Sequence, residues 1–333
     1  MRRGGLMLSG IALALIGAAS AAGVHWLLAP ANPVAAEIVF TVAPGQPLGE
    51  IARSLERARL VRSASAVAWI ARLHGQSGAL RSGEYALSAA QTPSEILAVL
   101  ESGRTLSYPV VLPEGFTAAQ IGARLAAEGL ADADAFAKAI RDPALIASLG
   151  ISAPSLEGYL FPDTYLLPHG MPAEEIARLF AERFLVVWKQ IEPLATAQGL
   201  TQHQVVTLAS IVEKETGVSE ERALVAGVFR NRLKRRMRLE SDPTVIYGIP
   251  DFDGNLRRRD LEDAANPYNT YRIAALPPGP IANPGEASLR AVVNPADSDY
   301  LYFVARNDGT HTFSNTFREH ERAVERYQKK AAR

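Results

Sequence analysis

Two glutamates, Glu213 and Glu215, stand two positions apart at the end of a segment whose apolar residues have helical spacing. The apolar stripe of that segment consists of Val205, Leu208, Ala209 and Val212. At about 100° per residue, Glu213 lies on one margin of the stripe and Glu215 on the other. A carboxyl at the edge of an apolar face is partly desolvated, which raises its pKa and lets it act as a general acid near neutral pH. Two ordinary surface glutamates explain the same spacing. The pattern therefore indicates an acid at 213 or 215 without choosing between them.

A second segment, Leu156-Glu-Gly-Tyr-Leu-Phe-Pro-Asp-Thr-Tyr165, places aromatic residues beside acidic ones. This combination suits sugar rings, because a flat aromatic face packs against C–H groups and a carboxylate accepts from hydroxyls. A well-packed turn explains the same residues, and the segment taken alone favours that interpretation. Its two candidates for substrate contact are Glu157 and Tyr159.

Two further motifs combine polar and aromatic residues with rigid backbone. One is Glu240-Ser-Asp-Pro-Thr-Val-Ile-Tyr-Gly248, and the other runs from Pro267 to Gly285 with many Pro and Gly residues. Irregular loops made rigid in this way often line clefts. Packing is at least as good an explanation for each tyrosine. The candidates from these motifs are Asp242 for hydrogen bonding to sugar or peptide, and Tyr247, Asn269 and Tyr271 as cleft walls.

Composition excludes several other functions. The 333 residues include no cysteine, so a disulfide framework, a zinc finger and a thiol nucleophile are excluded. The six histidines show no metal-ligand spacing, and no phosphate-binding or dinucleotide-binding glycine motif occurs, so we expect no metal and no cofactor. The formal net charge is zero, which argues against a nucleic-acid partner. The basic run at 230–238 is interpreted as the solvated side of a helix.

The secondary-structure elements that must position these residues are predicted to include both helices and strands. Strand patterns occur at 37–42 and 83–87, helical patterns near 48–55 and 65–73, and further helices follow along the chain. A faint repeat, a strand followed by a Pro/Gly turn and a short amphipathic helix, surrounds Gly45 and Gly115. Its spacing resembles LysM-type glycan-binding modules, and a common strand–helix packing unit without a ligand explains it equally well.

The N-terminal region predicts a membrane segment. No Asp, Glu, Lys or Arg occurs from Gly4 to Ala36, and residues 6–28 would form a helix of about 34 Å, enough to cross a hydrocarbon core. Arg2 and Arg3 precede the segment, which places the N-terminus in the cytoplasm and the remainder outside. A cleaved signal peptide, with its cleavage site in the small residues at 18–22, is the alternative, and both interpretations export the rest of the chain.

Six motifs in a fixed order give the chain a resemblance to a known family, the YceG-like endolytic murein transglycosylases. The six motifs are Leu156–Tyr165, Ala209–Thr216, Ser241–Gly248, Tyr268–Tyr271, Leu276–Ile281 and His311–Phe313. The resemblance implies a single-pass protein of the bacterial inner membrane that acts on peptidoglycan strands, with wall synthases as partners. It also implies that the first glutamate of the Glu-Lys-Glu motif, Glu213, is the catalytic acid.

The reaction that the resemblance implies is non-hydrolytic cleavage of the β-1,4 bond between N-acetylmuramic acid and N-acetylglucosamine inside nascent strands. The products carry 1,6-anhydromuramic ends, and strand elongation terminates. A membrane-tethered, non-catalytic peptidoglycan-binding scaffold is the alternative from another class, and a water-using muramidase is a closer one.

The expected fold class is α+β, with an N-terminal transmembrane helix, a small LysM-like α/β module and a larger mixed α+β catalytic domain. The expected segments are a cytoplasmic tail at 1–5, the anchor at 6–28, a linker at 29–36, the LysM-like module at 37–108 and the catalytic domain at 109–333.

Overall fold

The computed structural model describes residues 3–75 and 80–329, with side chains described from residue 15 to 328 apart from the gap at 76–79. The chain divides into two compact units. The N-terminal unit comprises Met1–Tyr108 and Pro168–Gly170, and the C-terminal unit comprises Pro109–Leu167 and Met171–Arg333. Helices and small two-stranded sheets make up the described residues, which confirms the predicted mixed α+β class.

The N-terminal unit is built around one antiparallel strand pair. Its elements are α1 (Arg3–Leu28), β1 (Glu37–Val42), α2 (Leu48–Arg57), α3 (Ala64–Leu73), β2 (Gly83–Ser88) and α4 (Pro93–Ser102). β1 pairs with β2 in a register that runs from Glu37 opposite Ser88 to Val42 opposite Gly83. The buried core includes Ile51, Leu55, Tyr85 and Leu97. The predicted strand–turn–helix order at 37–55 is present, but nothing in the unit identifies it as a LysM-type module.

The predicted membrane anchor at 6–28 falls within α1. Among the helices of the described residues, none combines the length and the apolar character needed to cross a membrane. Residues 6–14 of the predicted anchor lie outside the part of the chain whose side chains are described. The structure therefore does not support the predicted transmembrane helix.

The C-terminal unit contains most of the helices. Its helices are α5 (Ala118–Ala127), α6 (Ala133–Ala139), α7 (Pro143–Ser148), α8 (Ala173–Ala197), α9 (Gln202–Glu215), α10 (Arg222–Lys234), α11 (Asp242–Tyr247), α12 (Arg258–Glu262), α13 (Glu286–Val293) and α14 (Phe317–Val324). A 3-10 turn at Ser219–Glu221 precedes α10, and a π-helical turn at Glu325–Lys329 follows α14. Strand β3 (Tyr108–Val111) pairs with β4 (Thr164–Leu167), and β5 (Tyr302–Ala305) pairs antiparallel with β6 (His311–Ser314).

Helix α9 lies at the centre of this unit. It begins with a capping box, in which the Thr201 side chain accepts from the Gln204 backbone and the Gln204 side chain accepts from the Thr201 backbone. It packs against α8, α10, α11 and α13. The sequence predicts a single apolar stripe, but every residue from 205 to 212 is buried, because neighbouring helices cover the whole circumference. The two glutamates lie in the last turn, beyond this buried stretch.

The turn before α5 requires a glycine. Gly115 has a φ of +76°, a left-handed conformation that other residues adopt at a cost. Its backbone N–H donates to the Asn283 carbonyl at 2.9 Å, which joins this turn to the Pro-rich loop. The predicted strand–turn–helix unit at Gly115 therefore also positions the segment beside the last turn of α9.

Candidate active site

The two glutamates of the last α9 turn point into different environments. The Glu213 side chain is only 6 % exposed, and its Oε1 lies 3.4 Å from the Arg222 guanidinium. Its Oε2 accepts from the backbone N–H of Gly285 at 3.0 Å. Both neighbours are donors, so each oxygen of Glu213 accepts a hydrogen bond.

Glu213 also belongs to a tightly packed junction. Arg222 pairs with Glu114 at 3.5 Å as well, and burial together with the charge of Glu213 raises the pKa of Glu114. A side chain at position 285 would collide with the Glu114 carboxyl, so Gly285 permits this approach. The junction connects α9, α10 and the two loops that carry Glu114 and Gly285. The contacts of Glu213 are those of a group that holds the structure together.

Glu215 has fewer contacts and an altered acidity. Its Oε1 accepts a hydrogen bond from the Ser241 hydroxyl, and the residue is partly buried. Burial and, to a smaller extent, the nearby charge of Asp242 raise the pKa of Glu215 to about 7. The hydrogen bond from Ser241 and the charges of His311 and Arg232 oppose that shift. Glu215 therefore carries a proton over much of the neutral range.

Two predicted cleft residues lie beside Glu215. Asp242 is exposed, and its Oδ1 accepts from the Tyr271 hydroxyl at 2.7 Å. Burial, the hydrogen bond to Asp242 and the charge of Glu215 all raise the pKa of Tyr271, which therefore stays a phenol and a donor. The Ser241 backbone N–H donates to Thr270 Oγ1 at 3.0 Å, which holds the two motifs together. The structure thus brings Glu215, Asp242 and Tyr271 to one surface.

A buried pair, Glu221 and His311, stands behind this surface. His311 Nδ1 lies 2.6 Å from Glu221 Oε2, and the His311 backbone N–H donates to Glu221 Oε1 at 2.8 Å. Both side chains are about nine-tenths buried, at 12 % and 11 % exposure. The two contacts fix the imidazole on β6, close enough for its charge to influence Glu215.

Glu157 and Tyr247 form a second group elsewhere in the unit. Glu157 is 8 % exposed and accepts from the Ala118 backbone N–H, at 3.0 Å to Oε1 and 3.1 Å to Oε2. It also accepts from the Tyr247 hydroxyl at 3.2 Å and from Asn283 Nδ2 at 3.1 Å. Burial raises the pKa of Glu157 to about 7. This carboxyl caps the first turn of α5.

Tyr159 and Asn269, two of the predicted site residues, are completely buried. The Tyr159 hydroxyl lies 3.0 Å from His203 Nδ1, and its ring packs edge-on against Phe184. Asn269 Nδ2 donates to three backbone carbonyls, those of Asp260, Leu261 and Asp263. These contacts hold Tyr159 in the core and shape the loop around Asn269, and a role of either residue in substrate binding stays a prediction.

Sequence reasoning missed the supporting residues. Arg222 contacts Glu213, Ser241 contacts Glu215, and Glu221 contacts His311 of the sixth motif, yet none forms a pattern with its partner along the chain. Ser241 offered the clearest signal, since it precedes Asp242 in a motif already singled out. In the part of the chain that the structure describes, no group of three or more potential ligands could hold a metal ion.

Comparisons with known proteins place the chain in a family. The model of the YceG-like family matches residues 40–326. A Bacillus subtilis protein named endolytic murein transglycosylase is 31 % identical over 306 residues, which cover 86 % of this chain and 84 % of that protein. A Streptococcus pneumoniae protein of the same name is also 31 % identical, and the match covers 94 % of this chain but only 63 % of that longer protein.

A solved structure agrees with these matches. The crystal structure of a yceG-like protein from Listeria monocytogenes aligns with a TM-score of 0.60 at 33 % identity, over 86 % of this chain and 99 % of that one. The chain belongs to the YceG-like family, as its six motifs predict.

Proposed function

We propose that this protein is an endolytic lytic transglycosylase of peptidoglycan. It would cut the β-1,4 bond between N-acetylmuramic acid and N-acetylglucosamine within glycan strands and leave 1,6-anhydromuramic ends. Family membership and the names of the two relatives support the reaction class. The single observation that carries the proposal at the level of residues is a partly buried carboxyl, Glu215, with a pKa of about 7 beside two polar surface residues.

We assign the proton donor to Glu215, although the resemblance implied Glu213. A general acid must be protonated before it acts, and its best pKa lies near the working pH. Glu215 meets this condition, and its one hydrogen bond from Ser241 leaves acceptor and donor capacity for a substrate. Glu213 has Arg222 on one oxygen and the Gly285 N–H on the other. The structure-based choice thus separates two residues that helical periodicity left equivalent.

The chemistry follows from one carboxyl that acts twice. Protonated Glu215 donates its proton to the glycosidic oxygen as the bond breaks and positive charge develops at C1 of the muramic acid. The N-acetyl group of the substrate stabilises that carbon, so the protein needs no nucleophile. Glu215, now a carboxylate, removes the proton of the C6 hydroxyl as that oxygen closes onto C1. No water is consumed, and the glutamate regains its proton.

Asp242 and Tyr271 would bind the sugars next to the cleaved bond. Asp242 is exposed, and it accepts one hydrogen bond from Tyr271, so lone pairs remain for sugar hydroxyls. The negative charge of Asp242 also contributes to the raised pKa of Glu215. Asp242 would therefore couple substrate binding to the pKa of Glu215.

The proposed cellular setting is the outer side of the cytoplasmic membrane, where new strands are made. The uncharged N-terminal stretch preceded by two arginines motivates an anchor with a cytoplasmic N-terminus. Peptidoglycan synthases are the partners that such a position implies. A protease-protection assay on membrane vesicles tests the topology, and release of the intact protein by high salt would contradict the anchor.

The decisive experiment compares two matched variants, Glu215→Gln and Glu213→Gln, on purified uncrosslinked glycan strands. Mass spectrometry identifies the new chain ends. We expect anhydro ends from the wild type and from Glu213→Gln, and none from Glu215→Gln while its fold and glycan affinity remain. Loss of activity in Glu213→Gln alone, with Glu215→Gln active, would return the assignment to Glu213.

The same assay separates the alternatives. A non-catalytic scaffold would bind the strands and produce no new ends in the wild type. A water-using muramidase would produce reducing ends that take up oxygen from labelled water. Anhydro ends in the wild type exclude both.

A further inference from the structure

A pocket of about 600 Å³ lies around the second group of functional candidates, within the C-terminal unit. We call it the Glu157 pocket. Its walls are the first turns of α5, the α6 helix with the residues that follow it, and the C-terminal end of α11. The charged and polar residues of the lining are Thr117, Asp134, Arg141, Ser155, Glu157 and Tyr247. The proposed reaction does not use this pocket.

The carboxylate of Glu157 has no cationic partner. All its hydrogen-bond donors are neutral, namely the Ala118 N–H, the Tyr247 hydroxyl and the Asn283 amide. In the described part of the chain, no arginine, lysine or histidine nitrogen comes within 4.0 Å of it. A buried carboxylate without a counter-charge is costly, and a ligand ammonium would relieve that cost.

The mouth of the pocket supplies a charge of the opposite sign. Arg141 lines the pocket with an exposed side chain, and its charge already influences both Glu157 and Tyr247. One guanidinium nitrogen donates to the Ala137 carbonyl at 2.9 Å, which leaves other N–H groups free for a carboxylate. Asp134 adds a second acidic group on the same wall. Anionic and cationic groups in one pocket complement a ligand that carries both an ammonium and a carboxylate.

The pocket lies at a suitable distance from the proposed acid. Helix α11 connects the two sites, since Ser241 at its N-terminus contacts Glu215 and Tyr247 at its C-terminal end contacts Glu157. Six helical residues span about 9 Å. A peptide of three extended residues reaches about 10 Å. A peptide of three residues attached to a sugar near Glu215 is therefore long enough to span the length of α11.

We propose that the Glu157 pocket binds the zwitterionic end of a peptidoglycan stem peptide, the free amino-acid centre of a diamino-dicarboxylic residue such as diaminopimelic acid. Its ammonium lies against Glu157 and Asp134, and its carboxylate lies against Arg141. This inference rests on the proposed function, because it takes the glycan strand as substrate. It adds that the enzyme recognises the peptide as well as the sugars, and that strands with a free amino-acid centre are preferred.

The test uses the full-length protein and three forms of the same uncrosslinked strands. The first form carries intact stem peptides, the second has its free amines acetylated, and the third has its peptides removed by an amidase. For the wild type we expect kcat/KM to fall about tenfold from the first form to either of the others, the size of one charge-assisted contact. The variant Arg141→Ala should lose about tenfold on intact strands and retain wild-type kcat/KM on stripped strands.

Two further variants keep the result interpretable. Asp134→Asn, which leaves the size of the side chain unchanged, should reduce kcat/KM on intact strands and leave the acetylated strands unaffected. Arg124→Ala is the matched control, because Arg124 forms an exposed ion pair with Glu128 outside the pocket lining, and it should behave as wild type. A substitution of Glu157 is unsuitable for this test, because loss of its carboxyl removes the cap of α5.

The outcomes separate this proposal from the proposed function. Equal cleavage of intact and stripped strands by the wild type, or an equal loss on both in Arg141→Ala, would overturn the pocket assignment while anhydro ends still support the transglycosylase. If no strand is cleaved, the proposed function fails. In that case, calorimetric titration of the free stem tripeptide tests ligand binding by the pocket without the reaction. We expect the tripeptide to bind the wild type, and to bind Arg141→Ala with a tenfold weaker Kd.

Discussion

Two glutamates of the C-terminal unit, Glu157 and Glu215, have the same pKa of about 7 and opposite surroundings. Glu157 accepts from a helix N-terminus, a phenol and an amide, so its environment is nearly complete. Glu215 accepts from one serine hydroxyl beside an exposed aspartate. A raised pKa therefore does not by itself identify the acid. In the proposed function, Glu215 differs from Glu157 because its single hydrogen bond leaves capacity for the glycosidic oxygen.

The surroundings of Glu213 differ from those of both Glu157 and Glu215. It lies two residues from Glu215 on the same helix, yet Arg222 and the Gly285 N–H occupy its oxygens. Burial is greater for Glu213 than its position on the margin of an apolar stripe suggests, because the Glu114 and Gly285 loops cover it. The comparison shows that two glutamates on the margins of one helix acquire different hydrogen-bond partners, which helical spacing does not determine.

The largest expected effect concerns the rate. Replacing Glu215 with Gln should slow the formation of anhydro ends by about 10³-fold, since general acid–base catalysis contributes on that order. Replacing Glu157 with Gln should change the rate less than about tenfold, because that side chain does not touch the cleaved bond. Initial rates on stripped glycan strands provide the measurement. Similar losses of rate in Glu215→Gln and Glu157→Gln would contradict the proposal that Glu215, and not Glu157, is the acid.

The next effect concerns stability. Replacing Glu157 with Ala leaves the Ala118 N–H, the Tyr247 hydroxyl and the Asn283 amide without their acceptor, and we expect a loss of about 3 kcal/mol in the free energy of unfolding. Urea denaturation followed by circular dichroism measures it. The matched control is Glu128→Ala, which removes one exposed ion pair and should cost less than about 0.5 kcal/mol. A difference within error between these variants would show that Glu157 does not cap α5.

The stability of the fold should also depend on pH through Glu157. Its pKa is raised from 4.5 to about 7 in the folded state, so the folded protein binds the proton more tightly than the unfolded chain. The resulting stabilisation is complete below about pH 4.5 and is lost as the pH rises through 7, with a total of about 3 kcal/mol. Glu157→Gln should flatten this dependence between pH 5 and 7.5 relative to wild type. An unchanged slope would contradict the shifted pKa.

The smallest effect concerns the acidity of Glu215. The Ser241 hydroxyl stabilises the charged form, so Ser241→Ala should raise the pKa of Glu215. Since the acid must start protonated, kcat/KM falls as the pH rises through this pKa, and the fall should move to higher pH in the variant. The rate at its optimum should stay within about tenfold of wild type. A pH–rate profile that does not move would exclude Glu215 as the group that titrates.

Several elements were predictable from the sequence because local rules govern them. The strand at 37–42, the turn at Gly45 and the helix that begins at Leu48 follow from alternation, Pro–Gly chemistry and helical spacing. The capping box at Thr201 follows from a local pattern, a threonine with a glutamine three residues later. Asp242, Tyr247 and Tyr271 were selected as polar and aromatic positions in rigid motifs, and the structure places each beside a buried glutamate.

The sequence by itself determined the family, the mixed class of the fold and a short set of candidates that included both glutamates of the α9 end. Only the tertiary structure decided which glutamates have a raised pKa, which partners contact Glu213 and Glu215, and which tyrosine lies in the core. The physical reason is that helical spacing fixes the direction of a side chain, whereas its acidity and access depend on distant residues. Arg222, Gly285 and Ser241 set those properties for the two glutamates through contacts across the fold.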